Sequence, residues 1–249
     1  MDCHKGNIYL CAFADSRYHD SAKRLMWQTL KMPFIADGFF YDESDLPRNV
    51  FIRFRSYLKP GVRGFGYWIW KPYIILDALK RTKEKDILLY LDMGCHLNEK
   101  GEYRFREYCE EVNYNSSGFL VTDVGSNHLE RMWTKGDLFD FFHLRDRKEI
   151  TETSQYQAGI IFIRKRCETV DLINEWLWVC TEHFRLVDDT PSWSSNLLGF
   201  RENRHDQSVL SLLLKQYGTS IIPIEECWTL TGWDELSKTY PILQMRDLR

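Results

Sequence analysis

Two carboxylates and two cations in this 249-residue chain stand where they could act on an anionic ligand or its metal. Asp92 ends the apolar run ILLYLD (87–92). A carboxylate on the end of a buried strand has the rigid support that a metal-binding or sugar-binding group needs. Mg²⁺ and Mn²⁺ are commonly held by one or two carboxylates together with substrate phosphates and water. Asp92 could supply one such ligand, or it could cap a loop. Two residues on, where a second carboxylate would complete a metal site, stands Gly94. Cys95 is too soft a ligand for these ions, and His96 lies one position further. Upstream, RGFGYWIWKP (63–72) puts Arg63 and Lys71 on either side of a cluster of glycines and aromatics that includes Trp70. Glycine lets backbone approach a ligand, rings offer stacking faces, and two cations could meet a diphosphate. Asp206 stands at the start of HDQSVLSLLLKQYG (205–218), where the helix dipole favours a carboxylate, as a ligand group or as a plain cap. His205 beside it could be a ligand or a supporting group.

These residues need a scaffold, and the apolar patterning predicts one. Short runs of β-formers predict strands at NIYLCAFA (7–14), GFFYDESDLP (38–47, turning at its end), DILLYLD (86–92), GFLVTDV (118–124), QAGIIFIRK (157–165) and SIIPI (220–224). Helical spacing predicts helices at SAKRLMWQTLKM (21–32), PYIILDALKRTK (72–83), EYRFREYCEEV (102–112), ERMWTKGDLFDFFHL (130–144), CETVDLINEWLWVCTEHF (167–184) and 205–218. Pro72 occupies a tolerated first-turn position. RGFGYWIWKP and DDTPSWSSNLLGFREN (188–203) read as loops, and YPILQMRDLR (240–249) as irregular. Alternating strands and helices predict an α/β fold, a mostly parallel central sheet with helices on both faces. Ligands of such sheets bind at the carboxyl ends of the strands. Asp15 and Asp92 both follow buried strands, and Gln157 immediately precedes one.

Composition narrows the function classes. A net charge of −3 with no arginine-rich stripe argues against a nucleic-acid partner. The 9 Trp and 13 Tyr suit stacking of sugars or bases, or a tryptophan-rich core. Seven cysteines without C-x-x-C or Cys/His ligand spacing, and no apolar N-terminal run, predict reduced thiols and a cytoplasmic protein, peripheral to a membrane at most. No run is long and apolar enough to predict a transmembrane segment. Neither G-x-G-x-x-G after a strand nor a P-loop occurs, which removes the main support for dinucleotide and P-loop readings.

Read in order, RGFGYWIWKPYIILDAL…DILLYLDMGCHLN, ERMWTKGDLFDFF, QYQAGIIFIRK and ENRHDQSVLSLLLKQYG resemble GT-A type glycosyltransferases of bacterial and viral polysaccharide synthesis, over about residues 63–217. More distantly, QAGIIFI resembles the Asn-Ser-Gly strand, and HDQSVLSLL the Asp-Gln helix start, of glycogenin-like transferases. The resemblance implies one GT-A, Rossmann-like domain over 1–249, with about 1–125 binding a nucleotide and about 126–249 holding the donor sugar and acceptor. It implies transfer of a hexose or pentose from a UDP- or GDP-linked donor to a hydroxyl of a glycan acceptor, in polysaccharide, lipopolysaccharide or glycoprotein glycan synthesis. Asp206, Gln157 and Asp92 would be the catalytic set, with Gln207 beside Asp206. Ala12 to Asp15 and Tyr18 would line the base and ribose, and Arg63, Trp70, Lys71, Gly94 and His205 would complete the donor site. Lys135 and Asp137 match a Lys/Arg-x-Asp element that closes over the nucleotide-sugar; Arg246 and Arg249 would fold back on the diphosphate. Mn²⁺ or Mg²⁺ is the implied cofactor, with Asp92 as its ligand. The departure at Gly94 opens an alternative, in which Lys71, Arg63 or Arg246 neutralises the diphosphate instead. Asp123, Asp189 and Glu202 are the candidates for an acceptor-side carboxylate base, which an inverting route would need and a retaining route would not. A catalytically silent carbohydrate-binding protein on the same fold is the competing reading. A nucleotidyltransferase would want a glycine-rich basic loop that AFADSRYHD does not supply.

Overall fold

In the computed structural model, which describes residues 6–245, the strongest apolar runs pair into one sheet. The strands are β1 (Ile8–Phe13), β2 (Ile35–Tyr41), β3 (Ile87–Leu91), β4 (His96–Leu97), β5 (Phe119–Asp123), β6 (Tyr156–Arg164), β7 (Ser220–Ile222) and β8 (Ile242–Leu243). Six of them lie in the order β2-β1-β3-β6-β5-β7. Five run one way, and β6 runs antiparallel to both its neighbours. β3 is buried along its whole length, so it reads as an unbroken apolar run rather than an alternating one. The helices Lys71–Arg81, Cys167–Glu182 and Asp206–Tyr217 cover one face, and His19–Leu30 and Glu102–Tyr114 the other. No helix among the described residues is long and apolar enough to cross a membrane.

The reversal of β6 matters for the site. Its amino end, with Gln157 and Gly159, meets the carboxyl ends of β3 and β5 at one edge of the sheet. Gln157 is thus within the strand rather than just before it. Two further departures have local causes. The helix expected over 130–144 is two short ones, Glu130–Trp133 and Gly136–Phe141. The chain turns between them because Thr134 bonds back to Glu130 (2.6 Å) and the Lys135 N–H is taken by Asn203 Oδ1 (3.2 Å). The tail expected to be irregular forms β8, which pairs antiparallel with β4, directly after the Asp92–Cys95 turn.

RGFGYWIWKP is not a plain loop. Gly64, Phe65, Gly66, Tyr67 and Trp68 all carry positive φ (57°, 50°, 92°, 59° and 57°). Bonds from Tyr67 N to Arg63 O (2.8 Å) and Trp68 N to Gly64 O (3.2 Å) close one turn of left-handed helix. Such a turn costs an L-residue roughly 1–2 kcal/mol, so Phe65, Tyr67 and Trp68 together carry about 3–6 kcal/mol of strain. Glycine relieves the other two positions, and at Gly64 a Cβ would fall 2.2 Å from the Trp68 ring. The surroundings hold the turn. Trp70 Nε1 donates to Gly64 O (3.0 Å), and Tyr67 and Trp68 lie against the His205 ring, with centroids 4.9 and 5.7 Å away. Strain of this kind persists where packing over-determines it, commonly at a functional site.

Candidate active site

A cavity of about 750 Å³ opens at the edge where β1, β3, β5 and β7 end. Asp92 and Asp206, remote in sequence, converge at its floor on Lys71. The Lys71 Nζ is 3.2 Å from Asp92 Oδ1, 3.2 Å from Asp206 Oδ2 and 2.9 Å from Ala158 O. The contact with Ala158 O is a hydrogen bond and the two carboxylate contacts are ion pairs, with Asp206 Oδ2 buried and accepting no hydrogen bond among the described residues. Burial opposes the charge on Lys71, but the two carboxylates outweigh it and leave the pKa above the ordinary lysine value. Lys71 therefore acts as an internal counter-ion between two carboxylates rather than as a free diphosphate ligand.

Each carboxylate is set by its element. Asp92 follows β3; its N–H donates to Gly159 O (2.9 Å), and the Tyr90 hydroxyl donates to its Oδ1 (2.7 Å). Asp206 begins a helix anchored by Trp176, a fully buried indole whose Nε1 donates to Asp206 O (2.9 Å). Burial pushes the Asp206 carboxyl up to about 7, against the pull of Lys71 and with a push from Asp92. His205, entirely buried with φ 57°, pairs Nδ1 with Val187 O (2.7 Å), so a neutral ring carries its proton there. Burial holds its pKa below the ordinary histidine value.

The donor set around Asp92 does not make a protein-only cage for a divalent cation. Gly94 has no side chain, the His96 ring is held by Gln28 (3.2 Å), and no group of three or more His, Cys, Asp or Glu able to hold a metal occurs among the described residues. Asp92 Oδ2 nonetheless fits a cation that comes with phosphate oxygens. The Asp92 side chain is 40% exposed, and Oδ2 has no hydrogen bond among the described residues. Across from it is Gly159, where a Cβ would approach Oδ2 to 3.0 Å. The missing side chain keeps that oxygen open.

The remaining expected residues divide. Asp15, Tyr18, Arg63, Trp70, Gly94, Gln157, His205 and Gln207 line the cavity with Lys71, Asp92 and Asp206. Arg63 forms a bidentate pair with Glu202 (3.0 and 3.3 Å) that lowers the Glu202 pKa. Asp15 is bound by Arg17 (2.8 and 2.7 Å). Gln157 donates to Asp123 O (3.0 Å) and accepts from Gln244 (2.7 Å), while Gln207 braces Gln155 (2.6 Å). Ala12 is buried within β1 and does not reach the cavity. Lys135 and Asp137 do not line it either. Lys135 pairs with buried Asp188 (3.3 Å), and Asp137 accepts the N–H groups of Trp193 and Ser194 (2.9 and 2.8 Å), which pins the 188–203 segment. Arg246 and Arg249 lie outside the described residues. Arg17, Trp133, Gln155, Trp228 and Gln244 were not anticipated. Arg17, two residues after Asp15, was within reach of a spacing argument; Trp228 and Gln244 carry no local signal.

The mostly parallel six-stranded sheet with its flanking helices matches the GT-A fold. Among solved structures the chain is similar to mouse xyloside xylosyltransferase 1 in its apo form, at 10% identity over 96% of this chain and 97% of that one, with a TM-score of 0.50. It is similar also to the WbbM bifunctional glycosyltransferase, at 10% identity over 98% of this chain and 46% of that one, TM-score 0.51. At these identities the likeness is one of fold. No family model matches the chain, and no curated protein matches it.

Proposed function

We propose that this protein is a glycosyltransferase that moves a sugar from a nucleoside-diphosphate donor, UDP- or GDP-linked, to a hydroxyl of a glycan acceptor. The observation that carries the reading is the meeting of Asp92 and Asp206 on one buried ammonium, under a cavity at the strand ends of a GT-A sheet. Breaking the sugar–phosphate bond separates an anionic diphosphate from a sugar with developing positive charge at its reacting carbon. An ionised Asp206 fixed in a buried site stabilises that charge without reorganising, and Gln157, pinned by Asp123 O and Gln244, orients the sugar beside it. Lys71 keeps both carboxylates in register. Arg63, half-exposed at the rim and already held in two-point contact by a carboxylate, is suited to exchange Glu202 for a phosphate. Mn²⁺ or Mg²⁺ arriving on the diphosphate would be held by Asp92 Oδ2 and would supply positive charge to the leaving group. In this reading residues up to about 125 serve mainly the nucleotide, and the later ones the sugar and acceptor.

The test is nucleotide release from a panel of UDP- and GDP-sugars, with and without glycan acceptors. At least one donor is expected to be consumed, and Asp92→Ala and Asp206→Ala are each expected to lower the rate by roughly 100-fold or more. Undiminished activity in both variants would sink the site assignment.

A further inference from the structure

Four tryptophans line the cavity, and three of them are already covered. Trp68 lies against the His205 ring (5.7 Å), Trp70 is stacked on Phe13 (3.9 Å, 23°), and Trp133 is stacked on His128 (5.6 Å) with the Arg204 guanidinium 4.2 Å from its ring. Trp228 differs. Among the described residues its ring has neither an aromatic nor a cationic partner, and it is 38% exposed. Its backbone is firmly held. Trp228 N donates to Ile224 O (2.8 Å), and its buried neighbour Cys227 accepts from Gln244 N (2.8 Å) at the end of β8. Gln244 in turn bonds Gln157, so the indole is tied through two residues to the cavity floor.

Its place in the cavity limits what it could bind. Asp15, Arg17 and Tyr18 follow β1, and Arg63, Gly64 and Trp70 belong to the left-handed turn and its flanks. Trp228 belongs to the opposite group, with Val124 after β5 and Ile224 after β7. Asp92, which follows β3, lies between β1 and β5 in the order of the sheet, and Lys71 links it to Asp206. A partly exposed indole, held by its backbone in a cavity whose lining also includes His128 and Gln244, suits a pyranose ring. The C–H face of such a ring packs on the indole, and its hydroxyls turn to polar groups of the cavity lining. We propose that Trp228 is the stacking platform for a sugar ring of the glycan acceptor. The inference rests on the transferase reading and adds to it the acceptor's site and chemistry.

The experiment uses the full chain as wild type, Trp228→Ala and Trp228→Phe, with two independent readouts. The first is calorimetric binding of UDP and of GDP. The second is binding to an array of defined oligosaccharides, read with and without those nucleotides. Trp228→Ala is expected to lose about tenfold in glycan binding, while Trp228→Phe, which keeps a flat ring, retains most of it. Nucleotide affinity in both is expected to follow the wild type. Glycan binding equal in Trp228→Ala and wild type, or no glycan bound by the wild type, would overturn the platform. So would loss of nucleotide affinity in place of glycan affinity, since the indole would then be holding the base. Failure of UDP and GDP to bind any form would overturn the transferase reading, and the array would still judge the platform.

Discussion

Asp206→Asn keeps the shape of the buried carboxyl and removes its charge, so it separates what the charge does for the reaction from what it costs the fold. Burial lifts this carboxyl from an ordinary value of 3.8 to about 7. The folded protein therefore holds the proton through a range in which the unfolded chain has released it. Stability from this group is fully present below about pH 4, falls as pH rises to about 7, and is level above that. A difference of about three pH units corresponds to about 4 kcal/mol. Lys71 does not confuse the window. Its raised pKa adds stability that is lost only above the ordinary lysine range. The asparagine variant has no such titration, so it should gain on the wild type by up to about 4 kcal/mol between pH 4.5 and pH 8, while losing transfer activity. Urea denaturation of both proteins across that range measures the difference directly. A gap between them that stays constant with pH would refute the raised carboxyl and the account of the Asp92–Lys71–Asp206 cluster built on it.

Gly64→Ala pushes a Cβ into the Trp68 ring at a left-handed position and should lower stability by about 2–3 kcal/mol, read as a drop in calorimetric Tm. Lys215→Met leaves the fully buried Glu130 carboxylate without its counter-ion at 3.0 Å. A loss of about 3–5 kcal/mol in denaturant unfolding is expected, eased by adding Glu130→Gln. Chelation with EDTA should slow donor turnover at least roughly tenfold with recovery on Mn²⁺, and Asp92→Asn should blunt that recovery. A rate indifferent to EDTA would put the diphosphate on arginines alone.

How far the sequence could be read depended on which physical signal each element carries. β1, β3 and β6 were legible because strands buried over most of their length read as apolar runs. The direction of β6 was not, since periodicity is the same read either way. β4 and β8 have two residues each, too few for any period, and their pairing joins segments far apart in the chain. The left-handed turn was hidden because Phe, Tyr and Trp have no preference for positive φ; only its two glycines hinted at it. In the site, Asp92 and Asp206 were visible as a strand end and a helix start. Trp228 and Gln244 were not, because only the return of the C-terminal strand brings them to the cavity. Lys135 and Asp137 made a plausible motif whose charges are spent on Asp188 and on the Trp193–Ser194 backbone.

The left-handed turn also bears on the order in which the molecule assembles. A right-handed turn can flicker into existence in an unfolded chain; its mirror image, with three bulky L-residues, cannot hold itself without its surroundings. Its supports include the His205 ring and the Arg63–Glu202 pair, whose partners are separated by 139 residues. It is therefore expected to close only after the loop before the helix Asp206–Tyr217 has docked. Mutations there should speed unfolding and leave the folding rate almost untouched. A chain whose sheet is already complete would still lack its binding wall, so competence for substrate would arrive as the last event of folding.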